Sequence, residues 1–216
     1  MVRMSKRDRL LTRHVLARGI SDPLVIAALK TVPRETFVPK GERRHAFEDR
    51  PLPIGGGQTI SQPYIVAFMV EALELRGGER VLEIGAGSGY AAAVLAEIAG
   101  EVYAIERIAE LAEKAASNLQ SAGYGNVHIR HADGTEGWPE AAPFDAILVS
   151  ASAPGIPENL KSQLKVGGRL VIPVGPSADA QDLRRVRRMN QHEFAEEMLA
   201  EVRFVPLIGK FGWEES

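Results

Sequence analysis

The sequence predicts an α/β protein, a mainly parallel sheet covered by helices on both faces and finished by an antiparallel edge. Three observations predict it. From Arg80 onward, short apolar runs alternate with segments of helical period. Gly100 and Gly123 stop two of those helical segments. The first apolar run, Val81 to Ile84, leads straight into a glycine-rich turn that opens a helix.

The elements follow in order. Leu10, Leu11, His14 and Val15 suit an amphipathic helix with a solvated basic face, because Arg3, Lys6, Arg7, Arg9, Arg13 and Arg18 stand against Asp8 alone in the first twenty residues. Val25, Ile26, Leu29 and Val32 recur at helical spacing after Asp22-Pro23, and Pro33 ends the pattern. From Pro33 to Gly57 no period is sustained, and the prolines with Gly55-Gly56-Gly57 predict an irregular, mobile loop. Ser61-Gln62-Pro63 predicts a helix start, with the Ser61 hydroxyl as cap and Ile65, Val66, Met69, Val70 and Leu73 on one face.

Strands are then expected at Arg80–Ile84, Glu101–Ile105, Val127–His131, Ala146–Val149 and Arg169–Val174. Helices fall between them at Tyr90–Ala99, Ile108–Ala122 and Pro157–Leu164, with a short segment near Glu136. After Gly175 the pattern gives strands at Leu183–Met189 and Val202–Ile208 around a helix carrying Phe194, Met198 and Leu199. The 216 residues are read as one domain: an N-terminal helical cap and active-site loop (1–60), an α/β core (61–175) and C-terminal edge strands with a helix (176–216).

Composition excludes several classes of function. The 45% hydrophobic and 25% charged residues are ordinary globular values, and no apolar run nears the roughly 20 residues that span a bilayer. A net charge of -2 gives no general case for nucleic acid. The basic start lacks the unbroken apolar stretch of a secretory signal. With no cysteine, disulfides, thiolate metal sites and cysteine nucleophiles are excluded together, which fits a cytoplasmic protein. The five histidines show no ligand spacing, and no metal site is expected.

The chemistry is carried by the turn Gly85-Ala86-Gly87-Ser88-Gly89. Glycines let a ligand approach main-chain N–H groups with no Cβ in the way. Glu106 ends the next strand, 21 residues past Gly85, where its carboxylate can accept from two ribose hydroxyls. A dinucleotide site would put a third glycine at position 90, but Tyr90 stands there. An acidic residue, Glu83, precedes the turn and can meet the ammonium of a methionine moiety. S-adenosylmethionine therefore fits better than NAD, giving a Rossmann-like methyltransferase fold. Asp133-Gly134 follows the third strand on the same sheet edge, where Asp133 can accept from an adenine amino group; as a bare Asp-Gly pair it is otherwise a turn residue.

Beyond the turn, the chain resembles the protein-L-isoaspartate O-methyltransferases almost end to end. The resemblance lies in Val32-Pro33-Arg34-Glu35-Thr36-Phe37-Val38-Pro39, in Pro51 to Gly55, in Gln58-Thr59-Ile60-Ser61-Gln62-Pro63 and in the closing Phe204-Val205-Pro206-Leu207-Ile208-Gly209. It implies methyl transfer from S-adenosyl-L-methionine to the α-carboxylate of L-isoaspartyl residues in damaged proteins and peptides, with D-aspartyl poorer and S-adenosyl-L-homocysteine as product. It implies Ser61 as the active-site residue, with Gln58, Thr59 and Ile60 lining the cavity. Gly85, Ala86, Gly87, Ser88, Gly89, Glu106, Arg107, Asp133 and Gly134 would contact the cofactor. Expected partners are isoaspartyl proteins and peptides, not nucleic acid or membrane, with a monomer as the default. Two readings compete: a methyltransferase acting on RNA or a small molecule, and a cofactor-binding protein without catalysis. The Thr59-Ile60-Ser61 segment argues against the first.

Overall fold

The structure is a computed structural model that describes residues 4–177 and 180–215. Its helices are α1 (Lys6–Leu10), α2 (Pro23–Thr31), α3 (Pro63–Ala72), α4 (Tyr90–Ala96), α5 (Ala109–Ser121) and α6 (Glu158–Ser162). A small antiparallel hairpin joins β1 (Leu52–Gly55) to β2 (Gln58–Ile60). The main sheet holds β3 (Arg80–Ile84), β4 (Glu101–Glu106), β5 (Val127–His131), β6 (Phe144–Val149), β7 (Leu164–Val174), β8 (Gln181–Arg188) and β9 (Phe194–Val202).

The strand order is β5-β4-β3-β6-β7-β8-β9. Pairs from β5 to β7 are parallel, and β8 and β9 add antiparallel. From β3 the chain winds outward first through β4 and β5, then on the other side through β6 and β7. The direction reverses between β3 and β6, which opens a crevice outside their carboxyl ends. Strand β3 supplies both cores: Val81 packs with α2, α3 and α4 on one face, while Leu82 and Ile84 join Phe144, Leu160 and Leu164 on the other.

The N-terminal amphipathic reading holds, with α1 continuing as a wide turn over Leu11–Val15 and a tight one over Leu16–Arg18. Leu10, Leu11 and Val15 are buried, and two of the cations join the packing. Arg7 donates to the Lys30 carbonyl (2.7 Å), and the Arg18 guanidinium lies 3.3 Å from the Tyr64 ring centroid and pairs with Asp49. Arg3 lies outside the described residues. In α2, Asp22 Oδ1 caps by accepting from Leu24 N and Val25 N, with Pro23 in the first turn.

Four expectations are corrected. The segment Pro33–Gly57 is ordered: it makes short tight-helical turns at Arg34–Phe37 and Lys40–His45, then β1, with Phe37, Val38, Ala46, Leu52 and Ile54 buried. Phe194–Val202 is not a helix but the outer strand. Its Glu196 and Glu197 reach Arg184 and Arg185 of β8, and this cross-strand pairing overrides the helix preference of Glu, Met, Leu and Ala. Val202–Ile208 contributes only the end of β9 and two isolated bridges, Pro206 with Ser152 and Ile208 with Trp213.

The fourth correction concerns Ser61. Helix α3 has Gln62 at its cap position, and the capping acceptor is Asp49 from the preceding segment. Asp49 Oδ1 accepts from Tyr64 N (3.1 Å), and Oδ2 accepts from Gln62 Nε2 (2.8 Å). The Ser61 hydroxyl is thereby released from helix capping.

Candidate active site

The glycine turn is built by left-handed backbone. Gly85, Gly87 and Gly89 have φ of 84°, 56° and 88°, a region that side chains with a Cβ avoid. Gly85 N and Ala86 N both donate to the Ile105 carbonyl at the end of β4, at 2.8 and 3.1 Å. Space is short as well: a Cβ on Gly87 would sit 3.2 Å from Ile54 of β1, and one on Gly89 3.1 Å from Leu119 of α5.

Two carboxylates face this turn in different states. Glu106 is satisfied by main chain, accepting from Gly87 N (2.8 Å) and Ile108 N (2.9 Å) through separate oxygens. Glu83 is fully buried, and neither of its oxygens has a hydrogen-bond partner. Burial pushes its carboxyl well above the usual carboxylate range, and the negative charge of Glu106 pushes it further. The Ser150 hydroxyl works the other way, though without a hydrogen bond of regular geometry. A buried acid left without partners costs about 1–3 kcal/mol or more, so its persistence beside an open cavity points to a cationic ligand group.

All but two of the residues singled out in the sequence line one cavity at this sheet edge. Gln58, Thr59, Ile60 and Ser61 form one wall. Glu83, Gly85, Ala86, Gly87 and Ser88 form the floor, with Glu106, Arg107 and Gly134 beside them. Arg107 sends its guanidinium outward to Glu215 (2.8 Å). Gly89 and Asp133 are not on the lining. Gly89 shapes the turn from behind. The Asp133 carboxylate accepts from Thr135 N, Thr135 Oγ1 and Lys210 N at 2.7 to 2.8 Å, so the turn-residue reading describes it and an adenine bond would have to be shared with these donors.

The cavity also recruits residues that sequence reasoning did not assign. Ser150 and Ala151 follow β6 at the same carboxyl edge, a position the strand order alone would have flagged. Residues 205–208 complete the lining. Tyr90 fills the place of the missing third glycine: buried, it packs against Phe37 (5.9 Å) and under the buried Arg34 guanidinium (4.7 Å). The Val32 to Pro39 segment thus reaches the cofactor helix through its aromatic ring. No histidine lines the cavity, and the described residues contain no cluster of metal-ligating side chains.

A parallel sheet with a glycine turn at its switch point, Glu106 at the end of β4 and a buried, unpartnered Glu83 at the end of β3 fits the class of S-adenosylmethionine-dependent methyltransferases. Residues 5–212 match the model of one family of that class, protein-L-isoaspartate(D-aspartate) O-methyltransferase. The chain is 60% identical to protein-L-isoaspartate O-methyltransferase 1 of Rhodopseudomonas palustris strain HaA2, over 97% of this chain and 85% of the relative. It is 58% identical to protein-L-isoaspartate O-methyltransferase 2 of Pelobacter propionicus, over 96% and 92%. A solved protein-L-isoaspartate O-methyltransferase superposes with a TM-score of 0.86 at 31% identity, covering 95% of this chain and 67% of the other. A Plasmodium falciparum structure, described as a putative protein-L-isoaspartate O-methyltransferase in complex with S-adenosyl-L-homocysteine, gives 0.81 at 27% identity over 95% and 99%. The chain belongs to the protein-L-isoaspartate O-methyltransferase family.

Proposed function

We propose that this chain methylates the α-carboxylate of L-isoaspartyl residues in damaged proteins and peptides, accepting D-aspartyl less well. The observation that carries the reading, beside family membership, is the Ser61 hydroxyl: it lines the donor cavity and, among the described residues, has no protein partner, because Asp49 caps α3 instead. The bound donor, S-adenosyl-L-methionine, supplies a methyl group on a cationic sulfur and leaves as S-adenosyl-L-homocysteine. Glu83 offers its buried carboxylate to the donor's ammonium, and Glu106 keeps lone pairs for the ribose while its own backbone bonds hold it still.

A carboxylate acceptor is already ionised at neutral pH, so its oxygen attacks without a general base, which agrees with a cavity free of histidine. One carbon–oxygen bond forms, one carbon–sulfur bond breaks, and opposite charges are neutralised with no proton moved. Rate then comes from aligning oxygen, methyl and sulfur and from excluding water. Ser61 donates to the acceptor carboxylate and positions it. The methyl ester closes to a succinimide off the enzyme.

The test is incubation with labelled S-adenosylmethionine and paired peptides that differ only in isoaspartate against aspartate. Labelling of the isoaspartyl peptide alone is expected, and labelling of neither peptide overturns the reading. We further propose a monomer acting in the cytoplasm on such proteins, with neither nucleic acid nor a membrane as partner. The cysteine-free composition supports the compartment, and the use of Arg7 and Arg18 in packing weakens the case for a nucleic-acid arm. No helix among the described residues is long and apolar enough to cross a membrane.

A further inference from the structure

The turn after β5 faces two ways. Gly134 lines the cavity on the donor side, where a Cβ would collide with Ile84. The residues flanking it hold the C-terminal segment. Asp133 Oδ2 accepts from Lys210 N (2.8 Å), and Thr135 Oγ1 accepts from Phe211 N (3.1 Å) while donating to Asp133 Oδ1 (2.7 Å). Thr135 is fully buried, and Gly209 passes so close to Asp133 that no Cβ fits there. Lys210 Nζ adds a contact to Glu136 at 3.1 Å.

The segment so held then folds back. Trp213 N donates to the Leu207 carbonyl (2.8 Å), and its indole Nε1 donates to the Ser152 carbonyl (3.0 Å). Ser152 N also donates to the Val205 carbonyl, and Leu207 N to the Ser152 carbonyl, each at 2.8 Å. Residues 205–208 are therefore fixed by Ser152 on one side and by the Asp133–Thr135 clasp beyond Gly209. With Glu83, Glu106 and the glycine turn given to the donor, residues 205–208 belong to the lining that remains for the acceptor, together with Ser61, Ser150 and Ala151.

We propose that Thr135 is a positioning residue for the methyl acceptor: its clasp on Lys210 and Phe211 sets where the 205–208 wall stands, and so governs peptide KM rather than donor affinity. The proposal rests on the methyl-transfer reading above. Thr135→Val keeps the shape but removes the hydroxyl, leaving Phe211 N–H without its acceptor. The expected result is a rise of roughly three- to tenfold in KM for an isoaspartyl peptide, the effect of one or two lost hydrogen bonds. The kcat and the Kd for S-adenosylhomocysteine should stay within about twofold. Thr135→Ser, which retains the hydroxyl, should restore KM.

Hydrogen exchange of the amides at 210 and 211 gives an activity-free measure. Exchange should quicken in Thr135→Val and return to the unaltered rate in Thr135→Ser. An unchanged KM, unchanged exchange, or a Kd that worsens as much as KM overturns the proposal. If the unaltered protein methylates no isoaspartyl peptide, the methyl-transfer reading falls and the acceptor role with it, while the exchange rates still decide whether the clasp exists.

Discussion

Glu83 carries the largest unresolved electrostatic cost in the cavity, since its carboxyl is buried without a partner and faces the charge of Glu106. Its pKa in the folded protein stands above the unfolded value, so between those two values the folded state holds the extra proton. Stability of the donor-free protein therefore falls as pH rises through that window and levels off above the folded pKa. A donor ammonium favours the ionised acid, so binding releases a proton, and S-adenosylhomocysteine affinity should rise with pH in the same window by up to about tenfold per unit. Titration calorimetry in buffers of different ionisation enthalpy measures that proton; the same slope in Glu83→Gln would assign it elsewhere. Ser61 and Asp49 form a second pair of coupled choices. Ser61→Ala should lower turnover roughly ten- to hundredfold, the loss of one hydrogen bond to a charged group, with little change in donor Kd. Asp49→Ala should cost about 1 kcal/mol of stability through the lost cap. It should also slow turnover, because the Ser61 hydroxyl is then drawn to the free Tyr64 amide. Full activity in Asp49→Ala, measured beside its unfolding midpoint, would break that link. The sequence showed Ser61 as a cap because the pattern Ser-x-Pro is local, whereas the acceptor that replaces it lies twelve positions upstream.

Among the elements, those with strong local patterning were legible and those defined by distant contacts were not. Strands β3 and β5 have the bounds expected from their apolar runs, and α5 differs from its expected range by one residue at each end. The hairpin β1–β2 escaped because Pro53 and three glycines break every local signal for a strand. Its pairing survives because Pro53 sits in a two-stranded ribbon, where a missing donor is tolerated. Strand β9 escaped for the opposite reason, a strong local signal of the wrong kind. The cofactor turn itself was legible in sequence, but the contacts that brace it were not: Ile54 from the hairpin and Leu119 from α5 press against Gly87 and Gly89. Gly89 is thus a structural member of the site even though it does not line the cavity. Gly89→Ala combines a left-handed φ of 88° with the Leu119 contact, and should cost about 1–3 kcal/mol of stability and weaken donor binding. Denaturant unfolding with and without S-adenosylhomocysteine checks both. A variant as stable as the parent, with the same stabilisation by ligand, would show that the turn tolerates a side chain there.

Across the whole molecule, one residue ties the antiparallel end of the sheet to the end of α3. Glu74, just past α3 and itself left-handed at φ 51°, reaches Arg169 of β7 and Arg185 and Arg187 of β8. Arg185 extends the chain to the Ala72 carbonyl and to Glu197 of β9, so α3 and three strands share one charged cluster. The helix so anchored begins at the Ser61–Pro63 segment, which places the cluster at the far end of the element that presents Ser61. The hydrogen bond from Arg187, joined by the charges of Arg185 and Arg169, holds the Glu74 carboxyl below its usual range despite partial burial. Because the folded pKa is depressed, the stabilisation is present above the unfolded pKa and is lost as pH falls through the folded one. Glu74 is 39% exposed, so water screens part of it, and Glu74→Gln should cost only about 1 kcal/mol at neutral pH. The difference between Glu74→Gln and the parent should shrink toward zero as pH falls below the carboxylate range, and it should shrink at high salt as well. Unfolding midpoints across pH measure it directly. A gap that stays constant at every pH would mean that Glu74 acts through its shape and backbone conformation, and that the three arginines are held by the sheet alone.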